Sequence, residues 1–236
     1  MSGRRFYFNT LDKFRLLFNP ALCAGCGRPM ASSRFLCEAC VDDMRRVPAP
    51  CKRCGLPHQG DGELCPVCLH RPPRWQRMIA PLVFEGLTRR LIHQFKFDQQ
   101  LHLATALVSH FHRYYTPAEI DILIPVPLHR SRLLDRGFNQ SLEIASALSR
   151  HLRLPVDNRS LQRVRATESQ AGLSLHKRRH NLNKAFAFRC DTPCRAVAVV
   201  DDIITSGSTM TEICKTLQRG GVSHIEVWSL ARALKP

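Results

Sequence analysis

The sequence predicts an α/β protein in which a mainly parallel sheet carries helices on both faces and follows a small cysteine-rich region. Three observations predict this class. Apolar segments of strand length alternate with segments of helical periodicity from residue 78 onward. Residues 196–200 are continuously apolar, as expected of a parallel strand buried on both faces. Eight cysteines recur at fixed spacing within the first 70 residues.

The first 20 residues predict a short amphipathic helix. Apolar residues stand there at helix-like spacing, but charged residues interrupt them, so the segment lacks the apolar core and cleavage site of a signal peptide. We expect this helix to pack on the body of the protein, and a basic helix on a membrane surface is the alternative. No stretch of the chain reaches the roughly 18 apolar residues that span a bilayer, so peripheral contact is the membrane association left open. Without an export signal, we expect a cytoplasmic protein in a reducing compartment.

The cysteine-rich region is an internal duplication with a period of 28 residues. Both copies read C-x2-C-x10-C-x2-C. Two thiolates separated by two residues bind one side of a zinc ion, and two such pairs complete a closed, structural site. In a reducing compartment, this spacing favours zinc over disulfides. The predicted ligands of one zinc are Cys23, Cys26, Cys37 and Cys40, and those of the other are Cys51, Cys54, Cys65 and Cys68. Pairing between the two repeats is left open.

The elements of the second part follow a Pro-rich segment at residues 71–74. Strands are predicted at 78–84, 121–126, 186–188, 196–200 and 222–230, and helices at 87–97, 101–111, 140–152 and 208–219. The chain is therefore expected to have three parts. They are an amphipathic segment at 1–20, a double zinc ribbon at 21–72 and an α/β domain at 73–236.

The positive charge is concentrated in one stretch. The chain has 35 Lys and Arg against 19 Asp and Glu, a formal net charge of +16. Residues 121–190 hold 13 basic and 5 acidic residues, which is half of that excess, whereas 191–236 hold five of each. This distribution predicts an anionic partner, and the phosphates of a small molecule or of a nucleic acid both fit. Few aromatic residues accompany these arginines, which disfavours a base-stacking platform for single-stranded DNA.

Residues 199–209 (VVDDIITSGST) carry the predicted binding site. A buried strand delivers Asp201 and Asp202 at its carboxyl end, the edge where ligands bind in open α/β sheets. The main-chain N–H groups of the next loop and the helix N-terminus after it favour a phosphate. A ribose 5-phosphate supplies both partners, a phosphate for the loop and a diol for the acids. The alternative is an acidic loop before an ordinary Ser/Thr helix cap. The predicted loop residues are Thr205, Ser206, Gly207, Ser208 and Thr209.

This segment resembles the signature of type I phosphoribosyltransferases, which bind phosphoribosyl pyrophosphate (PRPP). Further segments make the resemblance closer to one branch, the ComF family, which is linked to DNA uptake in competence and to the use of DNA as a nutrient. They are the double C-x2-C region, PVPLH at 125–129 with RGFNQ at 136–140, and Arg163-x-Arg165-x-Thr167-x-x-Gln170 with Arg179, Asn181 and Phe186 beyond. They cover nearly the whole chain in order, so a type I phosphoribosyltransferase-like sheet is implied.

The resemblance also implies roles for individual residues. Asp201 and Asp202 would meet the ribose hydroxyls, and residues 205–209 the 5′-phosphate. Residues 127–132 would form a pyrophosphate loop, and a mobile loop would close over the substrate. The planar guanidinium of arginine suits phosphate because it binds two oxygens at once. The candidate residues on these two loops are His129, Arg130 and Arg132, then Arg163 and Arg165. PRPP would be bound with Mg²⁺, and the reaction would displace pyrophosphate at C1 of the sugar.

One departure from the wider superfamily limits the functional hypotheses. Purine salvage members carry an acid at the position of Thr205, so this chain is not expected to salvage purines, and its nucleophile and general base stay unidentified. Two hypotheses follow. The protein is a phosphoribosyltransferase with an unknown acceptor, or it is a non-catalytic accessory protein of DNA uptake. In the second case it binds single-stranded DNA or a translocation partner, and the sugar-phosphate site is a sensor.

Overall fold

The computed structural model describes residues 21–30, 35–115, 120–165, 184–190 and 194–234. The amphipathic helix predicted at 1–20 lies outside the described residues. So do four residues of the ComF-like pattern, namely Thr167, Gln170, Arg179 and Asn181.

The cysteine-rich region contains a short hairpin and two short helices. Strands β1 (Ala21–Leu22) and β2 (Pro29–Met30) pair antiparallel. Helices α1 (Glu38–Asp43) and α2 (Pro66–His70) each begin directly after a cysteine, Cys37 and Cys65. These two cysteines occupy the same position in the two repeats, so the duplication in sequence is also a duplication in structure.

The sheet has five parallel strands: β3 (Arg77–Ile79), β4 (Leu82–Val83), β5 (Ile122–Pro125), β8 (Ala196–Ile204) and β9 (His224–Arg232). Their order is β3-β9-β8-β5, and β4 pairs with β9 further along the same edge. A separate pair, β6 (Leu161–Arg163) and β7 (Phe186–Phe188), is antiparallel. The predicted mainly parallel sheet is confirmed.

Two strands differ from the sequence prediction. The segment predicted as one strand at 78–84 forms β3 and β4, because Pro81 has no N–H with which to continue the ladder. Strand β8 was predicted to end at residue 200 but continues to Ile204, since its pairing with β9 continues past Asp201. The two acids therefore lie within the strand instead of after it.

Helices cover both faces of the sheet, as predicted. Their bounds are α3 (Gly86–Phe97), α4 (His102–Phe111), α5 (Arg130–Arg136), α6 (Gln140–Leu152) and α7 (Ser208–Arg219), with a 3₁₀ turn at His112–Tyr114. Ala198 and Val200 of β8 pack in a core with α3, α4 and α6, whereas Val197 and Val199 pack in a second core with α7 and the β6–β7 pair. None of the helices in the described part of the chain is long and apolar enough to cross a membrane.

Candidate functional site

The structure brings the eight predicted zinc ligands together as two groups of four. The first contains Cys23, Cys26, Cys37 and Cys40, and the second contains Cys51, Cys54, Cys65 and Cys68. Within each group the sulfur atoms lie within 4.8 Å of one another. The distances Cys26 Sγ–Cys37 Sγ and Cys54 Sγ–Cys65 Sγ are both 3.8 Å. Tetrahedral coordination with Zn–S bonds of about 2.3 Å places sulfur atoms about 3.8 Å apart, so both groups fit zinc, and pairing is within each repeat.

Main-chain N–H groups stabilise the thiolate form of one cysteine in each group. Cys37 N donates to Cys23 Sγ and Cys65 N donates to Cys51 Sγ, each at 3.3 Å. Burial works against ionisation of Cys23 and Cys51, but these hydrogen bonds, together with others from the main chain of the knuckle and from a neighbouring cysteine, outweigh it and lower their pKa values to about 6 and about 7. A thiolate is the form that binds zinc, so the fold favours that form at one cysteine of each group, whereas burial raises the pKa values of Cys40, Cys54 and Cys68.

The acid pair lies near the carboxyl end of β8, where a lysine meets it. Lys96, near the end of α3, forms an ion pair with Asp202, which is 6% exposed. Asp201 Oδ1 accepts hydrogen bonds from the Ser141 hydroxyl and from the N–H of Asp202, both at 2.9 Å. Burial raises the pKa of Asp201 to about 6, although Lys96, Ser141 and Arg163 act to lower it. Ionisation of Asp201 is therefore unfavourable in the free protein, so its carboxylate would be stabilised by a cation or by hydroxyl groups that donate to it.

Two cations, Lys96 and Arg163, act on Asp201, and two more, Arg132 and Arg136, interact with those cations. Burial lowers the pKa of Lys96 to about 8; Asp201 counteracts this effect and Arg136 adds to it. Burial also lowers the pKa of Arg136 and of Arg163, and Arg132 adds to both effects. Lys96, Arg132 and Arg136 line one cavity of about 460 Å³. Positive charges this close repel one another, so the cluster fits a ligand carrying several negative charges.

The predicted phosphate loop lies beside the acids. Gly207 caps α7 with φ +74°, and a side chain there would meet the ring of Trp75 at 3.3 Å, so both conformation and space favour glycine. The hydroxyls of Ser206 and Ser208 lie 2.9 Å apart at the start of the helix. Asp201 and residues 203–210 line one small concavity, so the structure places Asp201 next to the loop.

The RGFNQ segment explains how the acids are held. Gly137 ends α5 with φ +80°, and Asn139 caps α6 by accepting from Ser141 N at 3.0 Å. Phe138 packs on Phe95 of α3, the residue before Lys96, with ring centroids 5.6 Å apart. The segment therefore fixes Ser141 on Asp201 and supports the helix that carries Lys96.

The arginines predicted on two loops have different surroundings. The expected loop at 127–132 is a loop only to His129, which caps α5 by accepting from Ser131 N at 3.3 Å, so Arg130 and Arg132 are helical. Arg130 and Arg163 line a cavity of about 550 Å³, whereas Arg132 lines the one that contains Lys96. Arg163 also lies 5.7 Å from the ring centroid of Phe186. Arg165 is exposed at the edge of the described residues.

Sequence reasoning missed Lys96, Arg136 and Ser141 as site residues. Arg136 and the residues next to Ser141 belong to segments already singled out, so proximity to RGFNQ was an available signal. Lys96 stands at the end of an apolar helix between Phe95 and Phe97, and a lysine between two phenylalanines is the signal that could have found it.

We expect Asp201→Asn to stabilise the protein near neutral pH. The pKa of Asp201 is raised from an ordinary value of 3.8 to about 6, so its stability contribution is complete below the ordinary value and is lost as the pH rises through about 6. Asparagine does not ionise but can still accept from Ser141. The variant should gain about 3 kcal/mol at about pH 7.5 and roughly half of that at about pH 5.

Urea unfolding at the two pH values measures this gain. Asp42→Asn, which removes an exposed carboxylate of α1, is the control. A gain that does not grow with pH would show that ionisation of Asp201 is not its cause.

Comparison with known proteins finds a matching domain model and several relatives. The model of the double zinc ribbon domain matches residues 14–69. DNA utilization protein YhgH of Escherichia coli O157:H7 is 37% identical over 227 residues, which cover 93% of this chain and 100% of that protein. Competence protein F of Haemophilus influenzae is 39% identical over 178 residues, 70% of this chain and 76% of that protein. A solved structure, the purine phosphoribosyltransferase from Pyrococcus horikoshii Ot3, has 16% identity and a TM-score of 0.29, over 57% of this chain and 83% of that chain.

The fold and site define a protein in which a double zinc ribbon precedes a parallel α/β sheet that carries an acid pair near one strand end. The identity to competence protein F and to the YhgH proteins extends over most of the chain. The chain belongs to the ComF family, as its sequence motifs predicted.

Proposed function

We propose that this protein binds PRPP, or a related sugar phosphate, during the use or uptake of DNA. One observation carries the proposal. Asp202 pairs with Lys96, Lys96 and Arg163 act on Asp201, and both cations belong to a cluster that also contains Arg132 and Arg136. Asp201 also lies beside the hydroxyl-rich loop that precedes α7. A ligand that uses this whole arrangement has hydroxyl groups that donate to carboxylates and two separate negatively charged groups. Few ligands have both, and PRPP is one of them.

Each part of PRPP has a suitable partner in this arrangement. The carboxylates accept from the 2′- and 3′-hydroxyls of the ribose, and the N–H groups of residues 205–209 with the α7 N-terminus bind the 5′-phosphate. The pyrophosphate is bound by the cations, which are Lys96, Arg132, Arg136 and Arg163. The anion relieves their mutual repulsion, so binding is favoured by charges already brought together during folding.

A transferase reaction follows from this binding mode. A nucleophile attacks C1 of the ribose, the bond from C1 to the pyrophosphate oxygen breaks, and its electron pair leaves with pyrophosphate. Lys96 and the arginines stabilise the negative charge that develops on the leaving group. Mg²⁺ bound with the substrate would add to this neutralisation, and carboxylate oxygens such as those of Asp201 are ligands that it prefers. The names of the relatives support a link to DNA, so we propose an acceptor derived from DNA breakdown.

The test is calorimetric titration of the zinc-loaded protein with PRPP and Mg²⁺, beside the Asp201→Asn, Asp202→Asn double variant. We expect binding by the parent and a loss of about 100-fold in affinity in the variant, because two charge-assisted hydrogen-bond acceptors are removed. The matched control is Asp42→Asn with Asp43→Asn, since these exposed acids also follow a valine in a V-D-D segment, and this variant should bind like the parent.

Absence of PRPP binding by the folded, zinc-loaded parent would overturn the proposal. If the parent binds, incubation with nucleobase-like acceptors and measurement of released pyrophosphate decides whether a transfer occurs. Binding without release under any acceptor would support a sensor.

The charge distribution favours a second candidate, an accessory protein that binds single-stranded DNA. Residues 121–190 carry an excess of eight basic residues, more than one PRPP requires. Titration of a labelled oligothymidylate at several salt concentrations tests it. An affinity that falls steeply with salt, with a log–log slope of about −0.7 per phosphate contacted, would support DNA binding.

A further inference from the structure

We propose that the second zinc site, formed by Cys51, Cys54, Cys65 and Cys68, positions the sugar-phosphate loop through Arg232 and Trp75. The inference rests on the proposed function, in which the loop binds the phosphate of a sugar phosphate. In this view the zinc ribbon is a structural part of the binding site, and zinc at the second site controls affinity for a sugar phosphate.

Arg232, near the end of β9, is the first connection. Arg232 is 6% exposed. Nε donates to Cys54 O at 3.0 Å, and Nη1 donates to Ile204 O at 2.8 Å and also to Thr205 O. One planar group thus joins the carbonyl of a zinc ligand to the first residue of the loop. A lysine has no such fork and would satisfy one side only.

Charge strengthens this connection. Four thiolates around Zn²⁺ carry a net charge of about −2, so the loaded site attracts a buried guanidinium. Without zinc the knuckle loses the ion that fixes its four sulfur atoms, so Cys54 O is no longer held in place for Arg232. The contact between Arg232 and the knuckle is therefore stronger in the zinc-loaded protein.

Trp75 is the second and independent connection. Its ring lies against Gly207, the centre of the loop. Trp75 Nε1 donates to Arg53 O, and Arg53 Nη1 donates back to Trp75 O, both at 2.5 Å. Arg53 stands between Cys51 and Cys54 in the zinc knuckle. The knuckle thus holds the ring that supports the left-handed residue of the loop.

The first zinc site has a different neighbourhood, which makes it a control within the same molecule. Arg90 of α3 donates to Gly25 O in the knuckle between Cys23 and Cys26. The ligand Cys40 packs with Leu87 in the core on the α3 side of the sheet. This arginine joins its knuckle to a helix, not to the loop, so loss of zinc there should leave the loop unchanged.

The experiment compares Arg232→Lys with Arg90→Lys, and Cys65→Ala with Cys37→Ala. Hydrogen exchange of the amides at 203–209 reports the loop without any ligand, and titration with ribose 5-phosphate reports binding. We expect Arg232→Lys and Cys65→Ala to increase exchange at 203–209 and to weaken binding about tenfold, since the loop loses charge-assisted hydrogen bonds. Arg90→Lys and Cys37→Ala should behave like the parent in both measurements.

Trp75→Phe is a milder variant that keeps an aromatic ring at this position but removes the hydrogen bond to Arg53 O and the indole atoms that face Gly207. It should increase exchange at 203–209 in the folded, zinc-loaded protein. Unchanged exchange in folded Arg232→Lys and Trp75→Phe would overturn the inference. A parent that does not bind ribose 5-phosphate, but whose loop exchange depends on the second zinc site, would instead overturn the proposed function and leave the structural connection intact.

Discussion

Removing zinc with a strong chelator is expected to unfold the second ribbon before the first. The small core of the second ribbon consists of its own ligands Cys51, Cys65 and Cys68, with Cys54 and Leu64 packed against them. Without metal this region buries too few apolar groups to offset the entropy of ordering its chain. Structural zinc contributes about 10–16 kcal/mol of binding free energy, which is also the folding free energy of such a region.

The first ribbon has apolar support that does not depend on zinc. Leu36, Val41 and Met44 are buried with Cys23 and Cys40 in the large core that also contains α3 and α4. We therefore expect residues 35–44 to retain more protection from hydrogen exchange than residues 51–70 when both zinc ions are removed. Equal loss of protection in the two repeats would contradict this prediction.

The zinc content of cysteine variants tests which cysteines bind metal. Cys190 and Cys194 lie close together, with their sulfur atoms 3.7 Å apart, but they belong to neither group of four. Replacing both with serine should leave two zinc ions per chain, whereas Cys51→Ser with Cys54→Ser should leave one. A fall in zinc content in the first variant would show a metal site outside the double ribbon.

The sequence predicted the parts of this molecule in which one interaction dominates. Helices α3, α4, α6 and α7 follow helical periodicity, and the structure has each within one residue of the predicted bounds. The zinc ligands were predictable because coordination requires four thiolates at a narrow spacing. How the four C-x2-C knuckles pair was not predictable, because a zinc ion can be bound by two knuckles of one repeat or by one knuckle from each repeat. Only the path of the chain distinguishes these arrangements.

The rest of the site depends on contacts between distant parts of the chain. Lys96 and Asp202 are 106 positions apart, and no local pattern connects them. Arg232 looked like one of several basic residues near the end of the chain, although its hydrogen bonds join the second zinc knuckle to the start of the loop at 205–209. Helix α5 was missed because its seven residues contain three arginines and few apolar positions, so it has little periodicity to detect.

Lys96→Met is expected to destabilise the protein by about 3–5 kcal/mol, because it leaves the carboxylate of Asp202 buried without a counter-ion. Chemical unfolding of the zinc-loaded protein measures the change. Lys215→Met is the matched control, since Lys215 pairs with Glu212 at 3.8 Å on the more exposed surface of α7, and its loss should cost less than about 1 kcal/mol.

The double variant Lys96→Met, Asp202→Asn distinguishes two causes of the instability. One is the buried, unpaired charge of Asp202, and the other is the lost packing of the Lys96 side chain. If the single variant is unstable because of an unpaired charge, neutralising Asp202 should restore most of the stability, and the double variant should unfold near the parent. If the lysine side chain contributes mainly by packing, the two losses should add. The first outcome means that a neutral pair would be as stable as the ion pair, so stability does not explain why this position holds charged groups. The proposed binding of a phosphorylated sugar would explain it, because the ligand would supply hydroxyls for Asp202 and an anion for Lys96.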